Sequence, residues 1–158
     1  MLCECDQNPP DDIDAALASF WMMLEEIERD HVEAKKYGVK PVLTRRGTRH
    51  LASLTEMKAF AEERVRGVMS GMQAIDGALE PFLENWAMYR LGTVERSVLR
   101  LGAWELSNCP DIPVPIAINE AVDLAKFFSE TQSGKFVNGV LDRFAKSLPP
   151  RPPSPKLG

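Results

Sequence analysis

Apolar positions along this chain recur at the three-to-four-residue step of a helix, and no segment shows the two-residue alternation of a half-buried strand. Ile13, Leu17, Phe20, Leu24, Ile27 and Val32 predict a helix over about 11–37. Asp14 lies in its first turn, and Lys35 and Lys36 in its last, as the helix dipole favours. Gly38 is a natural stop. A second stripe, Met57, Phe60, Ala61, Val65, Val68, Met72, Ile75 and Leu79, predicts a helix over about 54–77, with Ser53 and Glu56 as a capping box. Its methionines read as core filler. Gly67, Gly71 and Gly77 each weaken a helix by about 1 kcal/mol against alanine, so they imply close packing against a neighbour. Pro81 suits the first turn of a third helix, which carries Phe82, Leu83, Trp86 and Tyr89 and ends at Gly92.

Thr93 is a good N-cap for a helix over 94–108. There Val94, Val98, Leu101 and Leu106 form a broad apolar arc, with Arg96 and Arg100 opposite, one turn apart. Glu105 falls inside that arc, so a buried carboxylate needs a hydrogen-bond or ion-pair partner. Three prolines in 109–115 exclude helix interior. Pro115 then opens a helix to about 129, with Ile118, Ala121, Val122, Ala125 and Phe128 on one face. A polar break leads to a last helix over about 133–147, capped by Ser133, with Phe136, Val137, Val140, Leu141 and Phe144 inward and Gly139 implying close packing. Six helices with short connections make an all-α bundle over 11–148. The proline-rich segment 149–158 reads as a disordered tail.

Composition narrows the function. The 158 residues include 44% apolar and 27% charged residues, an ordinary globular balance. No apolar run reaches membrane-span length and the N-terminus lacks the form of a secretory signal, so the expected location is the cytoplasm. Three cysteines, Cys3, Cys5 and Cys109, do not make a disulfide framework. The Cys3–Cys5 pair has only His31, His50 and Cys109 to complete a metal site, so these read as reduced thiols and no metal is expected. Ser133-Gly134-Lys135 fails as a phosphate loop, since Ser129 and Phe136 stand where a glycine and a Ser or Thr belong. Two histidines offer little general-base chemistry, and neither an enzymatic motif nor a cofactor is expected. The net charge of −4 predicts weak nucleic-acid binding by this chain alone. Two basic features stand against that background. One is the loop run Arg45, Arg46, Arg49 and His50. The other is Lys135-Phe136, at the expected start of the last helix, where free N–H groups attract phosphate and an aromatic edge can stack on an unpaired base. Periodicity alone makes Phe136 a core residue.

In order and spacing, VERSVLRL (94–101), WEL (104–106), IPVPIAINEAVDLAKFF and SGKFVNGVLDRF resemble the NusB family. The most specific strings are Ala117-Ile118-Asn119-Glu120-Ala121 and Lys135-Phe136-Val137-Asn138-Gly139-Val140-Leu141-Asp142. The resemblance is strong over about 94–144 and looser over 56–92. It implies two three-helix bundles, and a non-enzymatic antitermination factor that binds boxA RNA of ribosomal RNA leaders as a heterodimer with the ribosomal protein NusE. It further implies assembly with NusA, NusG and RNA polymerase; a homodimer is also allowed. By the same resemblance Phe136 contacts RNA with Lys135 as its basic neighbour, Glu95 and the adjacent Arg96 lie at the RNA and partner surface, and Gln132 stands at a partner contact where the family often has an acidic residue. The family's arginine-rich opening is missing, so residues 1–10 read as the remnant of a truncated first helix and its turn. Arg45, Arg46 and Arg49 are candidates to replace those cations. Two other readings stay open: a NusB-like protein-interaction module without RNA binding, and the domain that precedes certain ribosomal RNA cytosine methyltransferases, which would need a catalytic region after residue 148.

Overall fold

The computed structural model describes residues 1–36, 54–84, 86–129 and 131–150. All regular structure within them is helical: α1 (Leu2–Gln7), α2 (Ile13–Lys36), α3 (Leu54–Leu79), α4 (Thr93–Asn108), α5 (Val114–Phe128) and α6 (Thr131–Ser147). The expected six-helix, all-α bundle is present, with one exchange of membership. Residues 2–7 form a helix of their own, whereas the stretch predicted as a helix from Pro81 to Gly92 is two single 3₁₀ turns, Glu80–Phe82 and Met88–Arg90. Pro81 cannot donate to a helix ladder, Glu84 has a φ of 32°, and Ala87 is extended. Arg143 of α6 fastens this bend, donating to the Glu84 carboxylate and, at 2.9 Å, to the Phe82 carbonyl.

Helices α4, α5 and α6 pack against one another as one three-helix bundle, and α3 and α1 both pack on α4. Leu99, Ala103, Leu106, Ala125, Val137, Val140, Leu141 and Phe144 form its buried cluster, which Leu79, Leu83 and Met88 extend toward α3. Full burial of each such Leu or Val stabilises by about 1.5–3 kcal/mol before conformational entropy is charged against it. At the N-terminal end, the side chain of Asp12 caps α2, accepting the N–H groups of Asp14 (2.9 Å) and Ala15 (3.2 Å). Helix α2 is tied to α3 through Trp21 Nε1 to Glu62 (2.8 Å), Lys58 to Glu25 (2.7 Å) and Arg66 to Asp14.

Several expectations need correcting. Arg96, expected at the RNA and partner surface, is turned into the fold, and so is Arg100. Because α4 is packed by α1, α3, α5 and α6, its polar side is an inter-helix surface. Arg100 is buried and pairs with Asp76 and Asp6, and Arg96 pairs with Asp6 as well. On α3 the first apolar positions are not core: Met57 and Phe60 are exposed, and Arg64 is buried instead. Its guanidinium sits 3.2 Å from the Phe60 ring centroid and donates to Glu105 at 2.5 Å, which supplies the partner that Glu105 requires. Phe128, assigned to the inner face of α5, is 64% exposed and packs edge-on against Phe127. Of the helical glycines, Gly67 does meet a neighbour, since a Cβ there would run into the Trp104 indole, but Gly77 and Gly139 face open space.

Candidate nucleic-acid interface

The segment leading into α4 and the first two turns of α6 enclose an open groove of about 370 Å³. The α4 side contributes Trp86, Arg90, Leu91, Gly92 and Glu95; the α6 side contributes Gln132, Ser133 and Phe136. Three of the residues singled out in the sequence, Glu95, Gln132 and Phe136, thus share one concave surface although Glu95 lies 37 and 41 positions before the other two.

Phe136 is neither sealed in the core nor free of it. Its ring is half-buried against the bundle core, and it also lines the groove. Lys135 beside it is exposed. The pair does not stand at the helix terminus, however. Helix α6 begins at Thr131, two residues earlier than expected, so Lys135 and Phe136 fall in the second turn, past the four free N–H groups. Ser133 is consequently not the cap.

Ser133 has another task. Its hydroxyl and that of Ser129 both donate to Glu95 Oε1, the former at 2.5 Å. One carboxylate therefore ties the N-terminus of α4 to the end of α5 and the start of α6. Burial alone would raise the Glu95 pKa, but the two serine hydroxyls and a backbone N–H outweigh it, and the carboxyl lies below its ordinary range. Thr93 is the first residue of α4 and not its cap; Gly92 takes that place, and a Cβ on Gly92 would run into Glu95 Oε2. Gly92 is thus what lets this carboxylate fold back over its own helix start.

Arg96, one residue on, points elsewhere. It donates to both oxygens of Asp6 and to the carbonyls of Met88 (3.3 Å), Tyr89 (3.4 Å) and Leu91 (3.2 Å). Its charge is spent inside the fold, and its side chain is 15% exposed. Arg45, Arg46 and Arg49 lie outside the described residues. Trp86 and Arg90 were not singled out by sequence reasoning, since Trp86 counted as one apolar residue of a helix that does not form. Ser129 was passed over as part of a polar break.

The model of the NusB family matches residues 17–146, which is most of the chain. The chain belongs to the NusB family. A "Transcription antitermination protein NusB" of Sorangium cellulosum is 48% identical over 93 residues, covering 59% of this chain and 66%, just under two thirds, of that protein. One of Anaeromyxobacter dehalogenans is 38% identical over 138 residues, covering 87% of this chain and 78% of the relative. Among solved structures, T. maritima NusB superposes with a TM-score of 0.58 at 42% identity, over 60% of this chain and 67% of that one. The all-helical NusB fold follows from these matches. Among the described residues no helix is long and apolar enough to cross a membrane.

Proposed function

We propose that this NusB-family chain acts as a transcription antitermination factor, binding boxA-type single-stranded RNA together with the ribosomal protein NusE. The observation that carries the reading is a half-buried Phe136 on an open groove whose other side is aromatic and cationic, with the exposed Lys135 as its neighbour along α6. Base stacking on an exposed aromatic face combined with lysine or arginine at the phosphates is how unpaired strands are held with little regard to sequence. In this reading Phe136 stacks on a base, Lys135 neutralises a phosphate, and Gln132, exposed on the same side, meets the protein partner. Glu95 sets the geometry through its serines and borders both contacts. Arg96 contributes from within, by holding the groove's α4 side in place.

The acidic net charge of −4 supports a shared task, in which a basic partner supplies the electrostatic attraction that this chain lacks. NusA, NusG and RNA polymerase are then the wider assembly, in the cytoplasm, and the activity is binding with no reaction of its own. Gel shifts with boxA RNA, with and without NusE, test this. A shifted complex that needs both proteins is the expected result. Partner binding with no effect on RNA would favour the protein-interaction module instead.

A further inference from the structure

We propose that Trp86 and Arg90 form a second RNA-binding wall of the groove, Trp86 stacking on one base and Arg90 neutralising a phosphate beside it. This rests on the RNA reading of Phe136 and adds contacts to it. Trp86 is 54% exposed and lines the same groove as Phe136. A tryptophan left this open presents a large apolar, polarisable face, which is unfavourable in water unless something covers it.

The platform that carries it is fixed. The Trp86 backbone N–H donates to the Leu83 carbonyl at 3.1 Å, and Leu83 and Met88 on either side are buried. Arg96 holds the Met88, Tyr89 and Leu91 carbonyls from behind. A stacking surface on a held backbone loses little conformational entropy when a base arrives.

Charge decides which ligand suits the groove. Arg96 and Arg100 are committed to Asp6 and Asp76, whereas Arg90 is exposed, and among the described residues no carboxylate pairs with it. Lys135 adds a second exposed cation next to the α6 wall. The groove's own carboxylate, Glu95, is already engaged by two hydroxyls. Aromatic faces with cations beside them complement a strand that alternates bases and phosphates.

The experiment measures boxA oligonucleotide binding in the presence of NusE for Trp86→Ala, Trp86→Phe, Arg90→Ala, Phe136→Ala and an exposed aromatic that does not line the groove, Phe127→Ala. Trp86→Ala should weaken RNA binding about ten-fold, as loss of one base–aromatic stack does. Trp86→Phe should keep most of the affinity. Arg90→Ala should make the slope of log affinity against log salt shallower by about 0.7, one phosphate's worth on a single strand. Phe127→Ala should bind as the parent. RNA should quench the parent's tryptophan fluorescence, and that quench should largely vanish in Trp86→Phe, although Trp21 and Trp104 remain. Parent-like affinity of Trp86→Ala, or a quench that survives in Trp86→Phe, while Phe136→Ala is weak, would overturn the second wall and leave the RNA reading standing. Parent-like binding by Phe136→Ala as well would bring both down. Loss of NusE binding without RNA in Trp86→Ala would make the wall a protein contact and overturn the proposal.

Discussion

Three arginines within eleven residues, Arg90, Arg96 and Arg100, differ in role because of what surrounds them. Arg96 and Arg100 share Asp6 of α1, whose side chain is 5% exposed, and Asp76 of α3 takes the remaining bidentate contact of Arg100 at 2.7 Å to each oxygen. Removing one partner from such a buried group leaves the others uncompensated. Asp6→Ala is therefore expected to cost about 3 kcal/mol in urea unfolding at neutral pH. Burial pushes the Asp6 carboxyl up, but hydrogen bonds and charge from Arg96 and Arg100 pull it further down, so its folded pKa is below the ordinary value. A depressed carboxylate contributes its stabilisation in full above the unfolded-state pKa and loses it as pH falls through the folded one. The gap between parent and Asp6→Ala should close below about pH 4 and stay constant from 6 to 8; a gap independent of pH would contradict the ion-pair account. Helical spacing revealed that Arg96 and Arg100 share a face. It could not reveal that this face meets α1, because Asp6 is 90 and 94 positions away. Gly67 was legible in a similar, partial way: a helix-interior glycine signalled close packing, and Trp104 is the neighbour. Gly67→Ala should destabilise by about 1–3 kcal/mol, measured by thermal melting, while Gly139→Ala, with open space around its Cβ, should stabilise slightly by helix propensity.

At the level of elements, the existence of α4, α5 and α6 and most of their core residues were readable, because their apolar periodicity largely coincides with what the bundle buries, while their caps, the polar side of α4 and Phe128 were not. The stretch 80–92 was not. Its apolar residues have helical spacing, but Pro81, the turn at Glu84 and the Arg143 contacts break it into two short turns, and Arg143 acts from 59 and 61 positions downstream. The groove depends on that break, since a continuous helix would not present Trp86 and Arg90 as they stand. It depends equally on the link between Glu95, Ser129 and Ser133 at the junction of α4, α5 and α6. Hydrogen bonds to a charged group are worth about 1.5–3 kcal/mol each, net of water. Glu95→Ala should thus lower stability by about 1–3 kcal/mol and weaken RNA binding. Glu95→Gln, which can still accept from the serines, should recover much of both, as read by unfolding midpoints alongside gel shifts. Equal loss in both variants would mean that the charge itself, and not the link, is what matters.

For the whole molecule the governing quantity is charge. At −4 the chain repels a polyanion at long range, so its affinity should rest on local cations and on its partner. The loop arginines Arg45, Arg46 and Arg49 belong to this scale. If they touch phosphates, neutralising all three should make the salt slope shallower by about 2, at roughly 0.7 per phosphate on a single strand; an unchanged slope removes the loop from the interface. The fold class was legible from pattern alone, and the family strings point to Glu95, Gln132 and Phe136. What pattern could not supply was the opposite side of the groove, which exists only once segments 86–95 and 132–136 are brought together. The most direct test of the central claim is photo-cross-linking of boxA RNA in complex with this chain and NusE, with the adducts mapped by mass spectrometry. Adducts on Phe136 and its immediate neighbours are the predicted result; adducts confined to surfaces away from this groove would contradict it.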